Sequence, residues 1–169
     1  MNRDREGDHM QTAALHADTL QLVSFRLGTQ RYAVDILRVQ EIDNMKEITC
    51  IPNALPYLAG AINLRGKVIP VLSLRTKFAM EKNGDNEKEK IVIIDIKGTV
   101  MGIIVDSVSD VLRIPSDVIE PPPQVSSRLN SGLIRGIAKL QEGLVLILDM
   151  DKLLDSDEHD AIINVEQLA

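Results

Sequence analysis

From Leu20 onward, short aliphatic runs alternate with breaks of Gly, Pro, Asn, Asp and charged residues. This is the spacing of β-strands rather than the apolar stripe of a long helix. It predicts strands near 20–27, 31–35, 39–43, 59–64, 67–72, 91–96, 100–105, 107–113 and 143–148. Residues 1–19 lack the pattern and read as a flexible tail. Met80 to Lys90 is highly charged, carries an Asn-Gly turn signal and reads as a solvated loop. Pro121, Pro122 and Pro123 form a rigid extended piece that reads first as a spacer. At the C-terminus, Ile162, Val165 and Leu168 recur every third residue, as in a packing helix or a fraying end.

The pattern occurs twice. Val34, Ile36, Val39, Glu41 and Ile42 return, all at one constant offset, as Ile103, Val105, Val108, Asp110 and Val111. The stretch Gly60 to Leu74 returns without a gap as Gly136 to Met150. Ser73 and Asp149 stand at equivalent positions after a strand, where their side-chain oxygens suit them to cap a following turn. Apolar residues follow at helical spacing, Leu74 and Phe78 in one copy and Met150, Leu153 and Leu154 in the other. Each unit therefore reads as several short strands closed by a short helix. Strands so short and numerous are expected to curl into small barrels, which removes exposed edges.

Composition narrows the function. The net charge of −6 and the 2% of aromatic residues disfavour a nucleic-acid binder, which needs a basic face and stacking rings. The one cysteine, Cys50, cannot form an internal disulfide and is expected as a small buried hydrophobe in a reducing compartment. The N-terminal tail lacks the apolar segment of a signal peptide, and no run is long enough to span a bilayer. A cytoplasmic location is the expectation.

No catalytic constellation emerges. His9, His16 and His159 fall in the predicted tails, and zinc-ligand spacings, a phosphate-binding loop and a nucleophile elbow are all absent. Asp95, Asp106, Asp110, Asp149 and Asp151 suit caps, turns and solvated strand faces better than paired catalytic carboxylates. The string Asn63-Leu64-Arg65-Gly66-Lys67 reads as a hairpin tip. Arg65 there either extends into water or pairs with a carboxylate to shape a binding surface. Glu41, at the end of an apolar strand, is its natural partner or else a solvent-facing strand residue.

Three stretches, Tyr32 to Ile42, Gly60 to Val71 and Gly102 to Leu112, resemble the CheW coupling proteins of bacterial chemotaxis in order and spacing. The resemblance covers about residues 20–154. It implies an all-β fold of two intertwined five-stranded SH3-like barrels with a few short helices. The first repeat then spans about 20–79 and the second 91–154, with exchange of strands between them left open, and 155–169 forms a C-terminal helix or tail. It implies a non-catalytic adaptor without cofactors. The implied partners are the regulatory domain of the histidine kinase CheA and the cytoplasmic tips of methyl-accepting receptors, so that the adaptor is recruited to membrane-associated receptor arrays. A related pathway with an output other than motility is the alternative. The resemblance places receptor contact at Val39, Glu41, Ile42, Arg65, Val108 and Val111, assigns Gly60, Gly66 and Gly102 to the backbone, and assigns no residues to the kinase. This chain departs from the family at Leu72-Ser73-Leu74-Arg75, where an Asp is common in place of Ser73; Ser can still cap the helix, and a charge contact made by that Asp would be lost here.

Overall fold

The computed structural model describes residues 18–81, 88–122 and 132–166. The expectations for His9 and His16, the Asn83-Gly84 turn, Pro123 and Leu168 lie outside these residues. Among the described residues, eleven strands form two sheets. Along the chain they are β1 (Thr19–Leu27), β2 (Gln30–Asp35), β3 (Val39–Asn44), β4 (Leu58–Leu64), β5 (Lys67–Ser73), β6 (Lys90–Ile96), β7 (Thr99–Val105), β8 (Ser107–Pro115), β9 (Ile119–Glu120), β10 (Ile134–Leu140) and β11 (Gly143–Leu148). The sequence did not single out β9 and β10 as strands. In β10 the inward positions are Gly136 and Ala138, with Arg135 and Lys139 between apolar residues, so the aliphatic signal is weak although the repeat marks the segment.

One sheet runs β8-β1-β2-β11-β10-β9 and the other β3-β6-β7-β5-β4. The second repeat aligns β6 and β7 with β1 and β2, β8 with β3, and β10 and β11 with β4 and β5. Each sheet thus takes its first two repeat strands from one half of the chain and the others from the opposite half. The parallel pairs β2–β11 and β5–β7 are where the halves join. Both sheets close in the same way. A 3-10 turn at Ser116–Val118 folds β8 into β9, which reaches β10, so the six-stranded sheet is a five-stranded ring with one strand bent. In the other sheet Thr49 bridges Ala61 of β4 through two backbone hydrogen bonds of 2.9 Å.

The apolar residues separate into three clusters. Leu22, Ala33, Ile114, Ala138, Val145 and Ile147 belong to the first sheet alone, and Ile62, Leu64, Ile69, Val71, Ile91 and Ile93 to the second alone. The largest cluster joins both sheets, with Val23, Phe25 and Val34 meeting Leu72, Val92, Ile94 and Ile103. It also takes in the capped segments after β5 and β11, the helix Leu74–Lys77 and the 3-10 turn Met150–Lys152. Ser73 Oγ accepts from the Thr76 N–H at 3.2 Å, and Asp149 Oδ1 from the Asp151 N–H at 3.1 Å.

The C-terminal helix Ser156–Glu166 begins on a reciprocal cap, in which Asp155 and Glu158 each accept the other's backbone N–H. It buries Ile162 in the main cluster. His159, expected in a tail, lies on this helix with Nε2 3.3 Å from the Ile96 carbonyl oxygen. Cys50 corrects another expectation: it is exposed, because the β3–β4 connection runs over the surface.

Candidate functional site

β3 and β8 are equivalent strands of the two repeats, and each pairs with only one neighbour along its length. Each also carries a β-bulge at the same place. Opposite β6, Val39 faces Ile94 but Glu41 faces Ile93, so Gln40 is the extra residue. Opposite β1, Val108 faces Phe25 and Val111 faces Val23, leaving two residues, Ser109 and Asp110, against Ser24. A bulge changes which side chains share a face. Residues three apart, Val39 with Ile42 and Val108 with Val111, therefore lie together over the core shared by the sheets, opposite Ile94 and Val92 and opposite Phe25 and Val23.

Exposure divides these four residues. Ile42 is 41% exposed and Val111 is 52% exposed, so both carry apolar surface to water. Val39 and Val108 are half-buried and pack against the shared core. In each pair the first residue therefore packs inward and its neighbour three positions on meets water. Ser24, fully buried and not anticipated, holds the second bulge by donating to the Asp110 carbonyl oxygen at 2.7 Å. A polar residue in an aliphatic strand was the signal that marks it.

Glu41 and Asp43 occupy the opposite face of β3, across from Ile93 and Ile91. Arg65 reaches Glu41 from the β4–β5 hairpin in a two-pronged ion pair. Arg65 and Gly66 both have positive φ, 52° and 87°, the backbone of a two-residue type I′ turn, and Asn63 Oδ1 accepts the Gly66 N–H at 2.8 Å. No atom lies near the position of a Gly66 Cβ, so the requirement there is conformational. At Gly60 it is both conformational and steric, since φ is +150° and a Cβ would meet the Thr49 carbonyl oxygen at 2.2 Å. Gly102 is purely a packing case, with Ile91 Cγ2 at 2.8 Å from a Cβ.

Arg65 pairs with Glu41 and not with Asp43, so the two carboxylates move in opposite directions. Hydrogen bonding to Arg65 holds the Glu41 carboxyl below its ordinary range, and the same bond raises the Arg65 guanidinium. Asp43 is pushed up, first by burial and then by Glu41, and its Oδ2 is buried without a hydrogen-bond partner. The pair ties the edges of the ring, β3 to the β4–β5 tip, and presents a fixed polar border beside Ile42.

Sequence reasoning missed two bidentate ion pairs that link distant parts of the chain. Arg75 grips Asp106 through Nε at 2.8 Å and Nη2 at 2.5 Å, and Asp106 also accepts the Gly28 N–H at 2.7 Å. Burial pushes the Asp106 carboxyl up, but these bonds and the Arg75 charge outweigh it and leave it below the usual range. Arg38 grips Asp151 at 3.1 and 2.6 Å. The partners are far apart in sequence, so spacing carried no sign of them.

Among the described residues, no three His, Cys, Asp or Glu side chains are grouped to hold a metal ion. A pocket of about 370 Å³ between the β3–β4 connection and the C-terminal helix is lined by Ile51, Leu55, Leu58 and Ile162, among others, and by no titratable side chain. No described helix is long and apolar enough to cross a membrane.

Comparison with known proteins bears on this arrangement. The family model described as "CheW-like domain" matches residues 21–158. The chain is 35% identical over 145 residues to the "Chemotaxis protein CheW" of Klebsiella aerogenes, covering 86% of this chain and 87% of that one. It is 30% identical over 156 residues to the protein of the same name from Treponema pallidum, covering 90% and 92%. The crystal structure of the scaffolding protein TtCheW from Thermoanaerobacter tengcongensis superposes with a TM-score of 0.75 at 35% identity, over 82% of this chain and 90% of that one.

Proposed function

The chain belongs to the CheW-like domain family, and on that premise we propose that it is a non-catalytic cytoplasmic adaptor coupling methyl-accepting chemoreceptors to the histidine kinase CheA. The observation that carries the proposal is the pair of bulged edge strands, which leave Ile42 and Val111 as an exposed rim over the core shared by the barrels.

In this mechanism a receptor helix lays its apolar face along the rim. Val39 and Val108 form the wall beneath it, and helix-in-groove docking gains from the water removed from both surfaces. The Glu41–Arg65 pair, already formed, orients the helix at little cost in reorganisation and contributes specificity more than affinity. The kinase regulatory domain docks elsewhere on the surface. Holding both partners on one rigid body raises their local concentration. A signalling role further requires a coupling free energy between the two sites, typically about 1–3 kcal/mol.

The test is reconstitution of receptor cytoplasmic fragment, kinase and this protein, with kinase activity measured as each component is omitted. The adaptor reading expects receptor control of the kinase only when all three are present. Receptor control without this chain, or unaltered control with Arg65→Ala and Val111→Asp combined, refutes it.

A further inference from the structure

Four ion pairs among the described residues join the chain before Met80 to the chain after Lys90. They are Arg31–Glu142, Arg38–Asp151, Arg75–Asp106 and Lys77–Glu158. In every one the cation comes from the first half and the carboxylate from the second. The other two described pairs, Arg65–Glu41 and Lys139–Glu120, lie within one half. The whole halves show the same bias. Residues 19–79 hold eight Arg and Lys against four Asp and Glu, while residues 91–166 hold six against thirteen, giving +4 and −7.

Two of the four pairs are related by the repeat. Arg75 and Asp151, separated by the same interval as Gly60 and Gly136, stand at equivalent positions after β5 and β11. Asp106 and Arg38 stand at the matching β7–β8 and β2–β3 junctions, one residue out of the exact repeat register. Even the third partner repeats. Asp106 accepts the N–H of Gly28 in the β1–β2 turn, and Asp151 accepts that of Lys97, its counterpart in the β6–β7 turn. The two clasps are the same device with the charges exchanged.

The exchange matters because equivalent core positions are apolar in both halves. Leu22, Val23, Phe25, Leu27 and Val34 correspond to Ile91, Val92, Ile94, Ile96 and Ile103, and Val71, Leu72 and Leu74 to Ile147, Leu148 and Met150. Each half offers two strands and receives three, so two first halves from different copies have the strands to complete one another, as do two second halves. In such a pairing Arg75 would meet Arg38 of the other copy, and Asp151 would meet Asp106. We propose that this division of charge is a pairing code, which directs each half to exchange strands with the opposite half and rejects the like half of a second copy of this chain. Aliphatic packing supplies the attraction, and the partly buried charges supply the discrimination.

Clasp inversion in the full chain tests the code. Arg75→Asp with Asp106→Arg restores opposite charges within the chain, yet removes the clash at this clasp from both like-half pairings. After refolding from urea at low salt, light scattering on the eluted protein should show a dimer fraction about tenfold or more above the unmodified chain, since like-charge contacts no longer oppose it. Arg38→Asp with Asp151→Arg, at the more exposed clasp, should do the same. Inverting both clasps together rebuilds the code with signs reversed and should return the dimer fraction to its starting value. Circular dichroism identifies any variant that fails to fold. For that case the unmodified chain, refolded with and without high sodium chloride, provides the second reading, with the dimer fraction rising as salt screens the clasps. A dimer fraction unmoved by single inversion overturns the code, as does one that double inversion leaves raised, or one indifferent to salt should the variants not fold.

Discussion

Val111→Asp separates docking from folding most sharply. Val111 is 52% exposed, so about half of its apolar surface remains to be buried by a partner. Burying a whole Val side chain is worth about 1.5–3 kcal/mol, which makes the share available to docking on the order of 1 kcal/mol. A carboxylate placed there must also lose water on docking, adding about 1–3 kcal/mol from protein mutational data. The sum, about 2–4 kcal/mol, corresponds to a loss of roughly 30- to 700-fold in receptor affinity. The folded state should barely respond, because exposed substitutions usually stay within about 0.5 kcal/mol. Its repeat neighbour Val108 is the internal control: half-buried against the shared core, it should destabilise the fold when changed to Asp. Calorimetric titration with a receptor-tip fragment, alongside urea unfolding of each variant, measures both quantities. If Val111→Asp binds with unchanged affinity while folded, the rim is not the docking surface. If it unfolds like Val108→Asp, the exposed-rim geometry is wrong.

Arg65→Ala and Glu41→Ala should each weaken receptor binding while leaving the urea midpoint nearly unchanged, since exposed ion pairs contribute about 0–1 kcal/mol; a large loss of stability contradicts this. Asp106 titrates below its ordinary value in the folded protein, so its contribution is present above the unfolded value of about 3.9 and is lost as pH falls through the lower folded one. Asp106→Asn should therefore cost about 3 kcal/mol at neutral pH, with the gap to the unmodified protein narrowing between pH 5 and pH 3 by urea titration; a gap constant over that range refutes the linkage. Gly60→Ala forces a side chain into φ +150° against the Thr49 carbonyl and should cost at least about 1–3 kcal/mol, read as a lowered midpoint.

Much of this was legible beforehand because it is local. Aliphatic runs bounded by turn residues located nine of the eleven strands, and the Ser73 and Asp149 caps and the Arg65-Gly66 turn each rest on residues within a few positions of one another. β10 escaped because its inward residues are Gly136 and Ala138, whose small size suits a tight ring and not an aliphatic pattern. Bulges are invisible to simple alternation, so the resemblance implied contact at Val39, Ile42, Val108 and Val111 without showing that Val39 and Val108 pack inward while Ile42 and Val111 meet water. Cys50 was misjudged from the average burial of its type, while the connection holding it runs over the surface. The Arg75–Asp106 and Arg38–Asp151 clasps depend wholly on the interleaving of the halves, which no spacing along the chain reveals.

The direct test of the docking rim is methyl NMR of the isoleucines and valines during titration with a receptor cytoplasmic-tip fragment. The account predicts that Ile42 and Val111 shift most, Val39 and Val108 follow, and Ile62 and Val145, inside the separate barrels, stay still. Shifts centred on another face, with Ile42 and Val111 unmoved at saturation, contradict it.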